Sequence, residues 1–339
     1  MSKLFKYSFL LLMILANCKT TLFAQDPVFS QFYSSPLSIN PSLAGNGNAD
    51  WRVVANQRNQ WIASGVDPLT TTSVSFDGKL FKQKGNENNY WGGGLYFLQD
   101  KAMAGAYKSS SLNLVASSHV SLDEDDINGL SIGIGANYST TYIDYSQLTF
   151  SQQLSSGGFN RLLPTNETSL SNVKPYFSVL AGITYTYSTE AASFDIGVSG
   201  YRFIKTNRSA LNDPTQLDPP RYNFNADYLT YLSEKLVFNS NLLYVMESNL
   251  HTYILGVNFG NILDDNELPT VLNTGLWYKQ GGTIIPYLGL SYKNIQGGLT
   301  YDINMPSSNN SLNSLQSFEF SLSIHSLKRN KRNIPCPWK

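Results

Sequence analysis

The chain has 339 residues, room for two or three soluble domains or for one large all-β domain. Charged residues make up only 14% and aromatics 13%, with 21 Tyr and 18 Phe; soluble domains carry about 25% charged residues. That composition fits poorly with a cytoplasmic enzyme, and 24 basic against 24 acidic residues exclude the strongly basic balance of a nucleic-acid-binding protein.

At the N-terminus, Lys3 and Lys6 precede the apolar run YSFLLLMILA (7–16), and Leu22-Phe23-Ala24 offers a cleavage site before Gln25. This pattern predicts a secretory signal peptide over residues 1–24, too short to span a bilayer. Cys18 in LANC is the alternative, a lipoprotein signal, but Asn17 suits that signal badly. Cleavage removes Lys3, Lys6 and Lys19 and leaves 21 basic against 24 acidic residues. It also leaves Cys336 as the sole cysteine, so neither an intrachain disulfide nor a Cys-based zinc site is expected.

Residues 25–50 form a strap with no helical period and no alternation. Pro27, Pro36 and Pro41 fix φ and lack a donor, and Asn40-Pro41 and Ala44-Gly45 read as turns. Such a segment can hold a fixed shape without a hydrogen-bond ladder of its own. Phe29, Phe32, Tyr33 and Leu37 would give it apolar grip.

From residue 51 to 327, segments of about ten residues alternate apolar with small or polar side chains between turn residues. Leu112, Leu114, Ala116, Val120 and Leu122 share one face, opposite Asn113, Ser117, His119 and Ser121. Phe177, Val179, Ala181, Ile183, Tyr185 and Tyr187 do the same opposite Ser178, Gly182, Thr184 and Thr186. Tyr253, Leu255, Val257 and Phe259, and Phe318, Phe320, Leu322 and Ile324, repeat it. Side chains alternate across a strand, so each segment has an apolar and a polar face. A soluble sandwich has this pattern too. Trp51, Trp61, Tyr90, Trp91, Tyr138, Tyr142, Tyr187, Tyr278 and Tyr301 near strand ends favour the aromatic girdles of a transmembrane barrel over ordinary β-propensity.

Fourteen strands are predicted, at 51–61, 69–81, 90–98, 106–122, 129–145, 173–187, 192–203, 221–232, 235–247, 251–260, 270–280, 283–292, 295–303 and 315–327. The longest gaps, 146–172, 204–220 and 304–314, are the fifth, seventh and thirteenth connections. All are odd-numbered and therefore extracellular if the N-terminus is periplasmic. Most even connections are tight, as in bacterial barrels, although gaps 82–89 and 261–269 exceed the rule. In the first strand Gln57 and Asn59 fall on the apolar face with Trp51, Val53 and Ala55. A bulge near Asn56, or cover by protein, would relieve the cost of facing lipid.

The motif order DPVFSQFY (26–33), NPSLAG (40–45), RNQW (58–61) and DPLTTTSVSFDGKL (67–80) resembles the PorP/SprF family of type IX secretion system membrane proteins. Ser42-Leu43 stands where the family often has Ala-Tyr, and the chain ends in Trp338-Lys339 rather than an aromatic. The resemblance implies a fourteen-strand outer-membrane barrel that supports export or surface attachment of a large partner protein, such as a gliding adhesin, and docks periplasmic lipoproteins of the machinery. It points to Asp26, Pro27, Phe29, Ser30, Gln31, Tyr33, Asn40, Pro41, Gly45, Arg58, Gln60 and Trp61 as partner-binding or strap-anchoring residues. Arg58 would anchor the strap through charge-assisted hydrogen bonds. The strap would lie at the periplasmic mouth or plug the lumen, as a docking surface or as a plain lid.

No catalytic or metal constellation is expected, and no cofactor. His119, His251 and His325 lie on separate strands without ligand spacing. Asp123-Glu124-Asp125-Asp126 lacks the glycine and spacing of a calcium loop and reads as a solvated turn. Gly92-Gly93-Gly94 precedes no helix, so it suits close packing or bending of a barrel wall rather than phosphate binding. Asp195, Asp227 and Glu319 would line the lumen. Residues 328–339 form a basic periplasmic tail, a solvated end or a contact for an acidic partner. The rival readings are a solute-transport barrel and a secreted soluble β-protein.

Overall fold

Alternation with period two, punctuated by turns, produces strands in the order expected. The computed structural model describes residues 28–62, 67–83, 86–166, 174–204, 219–264, 266, 268–305 and 316–326. Asp26, Pro27, the signal peptide and the basic tail lie outside them. The strands are β1 (Trp51–Gln60), β2 (Leu69–Gln83), β3 (Asn86–Ala102), β4 (Tyr107–Ser121) and β5 (Asn128–Ile143), followed by a two-stranded loop hairpin, β6 (Leu154–Ser155) with β7 (Gly158–Phe159). Next come β8 (Tyr176–Ser188), β9 (Ala192–Tyr201), β10 (Arg221–Ser233), β11 (Leu236–Glu247) and β12 (Leu250–Ile262). The last are β13 (Val271–Lys279), β14 (Thr283–Tyr292), β15 (Ile295–Asn304) and β16 (Ser317–His325).

Apart from the loop hairpin, every strand pairs antiparallel with its sequence neighbours, and β16 pairs back onto β1. The sheet is thus a closed fourteen-strand barrel, and closure leaves no edge. All fourteen expected strands are present. The even-numbered gap 82–89 shrinks because β2 and β3 run further than the alternation suggests. A register irregularity at Lys79/Phe81 breaks their pattern, which is why their length was not legible.

The faces are inverted relative to a soluble protein. Phe76, Leu95, Leu114, Ile134, Val198, Leu255 and Leu288 are exposed on the outside, whereas Ser73, Asn113, Thr184, Asn223, Asn258 and Thr300 are buried inside. Aromatic pairs ring the outer wall at two levels. Tyr138–Phe177 and Tyr253–Tyr278 lie towards the long loops, and Tyr228–Phe238–Phe259 towards the short turns. Between them the wall is apolar, as a bilayer demands. Leu114→Arg, near the middle of this belt, should cost about 2–4 kcal/mol in unfolding from phospholipid vesicles, whereas Gln99→Arg beyond it should cost about 1 kcal/mol or less. Equal costs would argue against a lipid-facing wall.

No bulge relieves β1. Its register is unbroken from Arg52 to Gln60 on β16 and from Trp51 to Gln60 on β2. Gln57 and Asn59 stay outside and satisfy each other and their neighbours instead. Gln57 Nε2 donates to Asn59 Oδ1 at 3.3 Å, Thr72 Oγ1 to Gln57 Oε1 at 2.6 Å, and Thr70 Oγ1 to Asn59 Oδ1 at 3.1 Å.

Candidate functional site: a strap threaded through the lumen

Three prolines and a run of small polar residues make a chain that turns tightly without helix or ladder. Residues 28–46 form three single 3-10 turns, Phe32–Ser34, Pro36–Ser38 and Pro41–Leu43. They lie inside the barrel, not beneath it. Most strap backbone carbonyls have a donor, as a buried non-repetitive chain requires. The turns supply some: Ser34 N donates to Gln31 O, Ser38 N to Ser35 O, and Asn40 N to Pro36 O, each at 3.0 Å. The wall supplies the rest. Tyr201 Oη donates to Leu37 O (3.3 Å), Arg221 to Ser38 O (2.9 Å), and Ser199 Oγ and Asn223 Nδ2 to Ile39 O (2.6 and 2.7 Å).

The first anchor is charged. Glu319, 1% exposed, accepts from Ser30 N at 2.8 Å and Gln31 N at 2.9 Å, one carboxylate oxygen each. Ser30 Oγ donates to Asp302 at 2.7 Å. Arg58 pairs with Asp302 at 2.8 Å and donates its other terminal nitrogen to Val28 O. Lys279 faces the same cluster. Two cations thus balance two carboxylates around the strap's N-terminal end, and charge-assisted bonds of this kind are the strong ones. Ser321 Oγ donates to Gln31 Oε1 at 2.6 Å, and Gln31 Nε2 returns to Glu319 O at 3.2 Å.

The second anchor is apolar. Tyr33 stacks on Trp277 at 4.7 Å between ring centroids and meets Tyr287 edge-on at 5.9 Å. Phe32, Ile39, Leu243, Val245, Ile254 and Ile285 close the cluster. These wall residues point inwards against the general pattern. Gly256 and Gly275 make room for the indole: a Cβ on either would lie within 2.4 Å of Trp277.

The third anchor is Asn40, fully buried. Its Nδ2 donates to Thr184 Oγ1 at 3.2 Å and to Ile183 O and Val198 O at 3.3 Å, while its Oδ1 accepts from Ser42 N and Ser42 Oγ at 3.0 and 2.7 Å. Here the strap presses on the wall. A Cβ on Gly182 would sit 2.1 Å from Asn40 Oδ1, and one on Gly133 2.3 Å from the Pro41 carbonyl carbon. Gly92 belongs to the same track, 2.2 Å from Ala44 O on that construction, so the glycine run serves close packing as expected.

The strap leaves through a fourth anchor near the short-turn end. Ala44 O accepts from Ser117 Oγ at 2.7 Å and from His119 Nε2 at 2.8 Å. A carbonyl can only accept, so the His119 proton is on Nε2, and Nδ1 accepts from Ser131 Oγ at 2.7 Å. Gly45, at φ +69°, donates its N–H to Asp77 Oδ2 at 2.9 Å, and Arg52 clamps the same carboxylate. Asn46 to Asp50 then reach the mouth half-buried.

The expected site residues therefore divide. Phe29, Ser30, Gln31, Tyr33, Asn40, Pro41, Gly45 and Arg58 all belong to the strap and its seat. Gln60 and Trp61 do not: the strap's contacts on β1 are Asn56 and Arg58, and Trp61 instead donates its N–H to Gln316 O at the long-loop rim. Phe29 and Tyr33 are buried against the wall, so they grip the barrel and present no surface to a partner. Asp302, Ser199 and Asn223 carry no local signal, because each reads as an ordinary polar position of an alternating strand.

The acidic turn also has a structural job. Asp123 Oδ1 accepts from Ile127 N at 2.8 Å and Asn128 N at 3.2 Å. Desolvation pushes its carboxyl up, but the hydrogen bonds from Asn128 and Ile127 outweigh it and hold it below the usual range. A depressed value stabilises the turn above the ordinary carboxylate pKa near 4, and that contribution is lost as pH falls through the lower folded value. Amide exchange at Asn128 should speed up below about pH 4 relative to neighbouring strand amides, beyond the intrinsic pH trend. Asp123→Asn should abolish that excess; an unchanged profile would remove Asp123 from the turn's support.

No curated protein matches the chain. Solved structures similar in shape include the Ralstonia pickettii toluene transporter TbuX (9% identity, TM-score 0.49), over 86% of this chain and 92% of that one. A Pseudomonas aeruginosa FadL homologue gives 10% identity and 0.48 over 84% and 92%, and the P. putida toluene transporter TodX 9% and 0.42 over 86% and 93%. With scores below 0.5, neither substrate nor mechanism transfers from them. The family comparison is of another order: the type IX secretion system membrane protein PorP/SprF family matches residues 21–324. With the closed barrel, the outward apolar belt and the match over almost the whole chain, this protein is an outer-membrane barrel that belongs to the PorP/SprF family of type IX secretion system membrane proteins.

Proposed function

We propose that this barrel is a non-enzymatic, protein-handling component of type IX secretion. It supports export or surface attachment of a partner protein such as a gliding adhesin, and it docks periplasmic lipoproteins of the machinery at its short-turn mouth. The family supplies the secretion role. The observation that supports protein handling over solute transport is the strap: a pathway for small solutes needs an open or gated lumen, and here a segment hydrogen-bonded to the wall at several anchors crosses it. The half-buried Asn46–Asp50 segment and the Asp123 and Asp264 turns form the docking face, held in fixed geometry by the anchors above.

Deletion of the gene, followed by comparison of surface and periplasmic proteomes, tests this reading. Loss of one large surface protein supports it. An intact surface proteome with loss of growth on one nutrient would transfer the assignment to transport. Asn48→Arg at the mouth should lower retention of periplasmic lipoproteins in detergent pull-downs several-fold while the barrel still assembles, whereas Tyr33→Ala should act only through strap stability.

A further inference from the structure

The outer wall of β2–β8 differs from the rest of the belt in two ways. The first is relief. Gly93, Ala116 and Ala181 stand in one cross-strand row, with Ala136 beside it, among the larger Phe76, Leu95, Leu114, Ile134 and Val179. The small residues leave an open apolar groove of about 800 Å³ on the lipid-facing surface, which Leu80 and Phe203 also line.

The second is charge. Along each strand towards the long loops, the pairing register gives three successive outward rows. Val74–Phe97–Leu112–Tyr138 is apolar, Thr72–Gln99–Ser110–Thr140 is neutral and polar, and Thr70–Lys101–Lys108–Tyr142 carries two lysines directly opposite each other. Both lysines are exposed, and neither forms an ion pair among the described residues. Asp144, whose field reaches Lys108, already accepts from Ser146 and Gln147. Like charges opposed across a strand pair destabilise each other unless an anion joins them.

Six residues separate Leu114 in the groove from Lys108, and six separate Leu95 from Lys101. That is about 20 Å along a strand, or about 15 Å of membrane depth at a typical barrel tilt. It matches one leaflet of a hydrocarbon core about 30 Å thick. We propose that this wall is a binding site for an anionic, phosphorylated glycolipid of the outer leaflet, with acyl chains in the groove and phosphate between Lys101 and Lys108. Gln99, Ser110 and Thr140 lie where the headgroup sugars would contact the wall.

The test is native mass spectrometry of the full chain extracted from its own outer membrane in mild detergent, counting bound phosphorylated glycolipid per barrel. The wild type should retain it. Lys101→Glu/Lys108→Glu should retain at least fivefold less, and so should Ala116→Phe, which fills the groove with both lysines intact. Lys293→Glu, in a short turn at the opposite end, should retain as much as the wild type. Heat-modifiable gel mobility confirms that each variant is folded. In zwitterionic vesicles, adding the phosphorylated glycolipid should restore binding to the wild type and to Lys293→Glu, but not to Lys101→Glu/Lys108→Glu or Ala116→Phe. Equal retention in all variants, loss with only one of the two changes, or a protein co-purifying on this wall in place of lipid would overturn the proposal.

Discussion

Gly133→Val and Gly182→Val should turn a closed barrel into a conducting one. The strap occupies the space their side chains would need: at the Cβ alone, Gly133 meets strap backbone, 2.3 Å from the Pro41 carbonyl carbon, and Gly182 meets the Asn40 side chain, 2.1 Å from Oδ1. Ordinary overpacking costs about 1–3 kcal/mol and is absorbed by flexible neighbours. Here the neighbours are strap backbone at Gly133 and, at Gly182, the Asn40 amide, itself fixed by Thr184, Ile183 O and Ser42, so accommodation means moving the strap. The barrel itself should survive, since its ladder does not depend on these positions. In planar bilayers the wild type should show little conductance, and both variants steps characteristic of an open lumen. Gly129→Ala, whose added Cβ meets nothing closer than 3.7 Å on the same strand, should stay closed. Closed variants with normal stability would mean that the strap does not press on the wall.

Glu319→Ala should loosen the strap from its other end. Two buried N–H groups, on Ser30 and Gln31, lose their only carboxylate, and Arg58 and Lys279 lose half of their countercharge. Each orphaned donor costs about 1–3 kcal/mol, and breaking a buried charge pair about 3–5 kcal/mol. We expect a loss of about 3–5 kcal/mol in urea unfolding from vesicles, the range for breaking a buried pair. Glu319→Gln should lose roughly half as much, because its single carbonyl oxygen still accepts one of the two bonds. The measurement is the unfolding midpoint together with protease susceptibility of residues 28–46. Unchanged values for Glu319→Ala would show that the carboxylate is incidental.

The wall was largely legible in the sequence because a two-residue period is local. Strand count, the parity of long and short connections and the outward faces all follow from alternation and turn residues. The strap's rigidity was legible too, from Pro36, Pro41 and the Asn40 turn. Its placement within the lumen rather than at the mouth was not, because the anchors are remote in sequence. Ser30 meets Asp302 and Gln31 meets Glu319 across almost the whole chain, and no local pattern encodes such a pairing. A partial signal did exist. In β11, Leu242-Leu243-Tyr244-Val245-Met246 is a continuous apolar run where alternation would put polar residues, and Ile254, Trp277 and Ile285 repeat the violation on the next strands. An inward apolar stripe on four neighbouring strands requires something apolar inside, and Phe32 and Tyr33 fill that need. Gln57 and Asn59 on the apolar face of β1 predict a bulge or a cover of protein, and the unbroken register shows no bulge. Hydrogen bonding to Thr72 and Thr70 on the adjacent strand satisfies them in a straight register, and that pairing becomes visible only once β1 and β2 are aligned.

A single cross-link decides most directly whether the N-terminal strap is a fixed part of the lumen. Ser42 Oγ and Thr184 Oγ1 lie 2.7 Å apart in the middle of the barrel. With Cys336 replaced by serine, Ser42→Cys/Thr184→Cys should oxidise to a disulfide in intact outer membranes and leave neither thiol reactive towards a membrane-impermeant maleimide. Failure to cross-link, with Ser42→Cys freely labelled in the folded barrel, would place the strap outside the lumen and contradict the account.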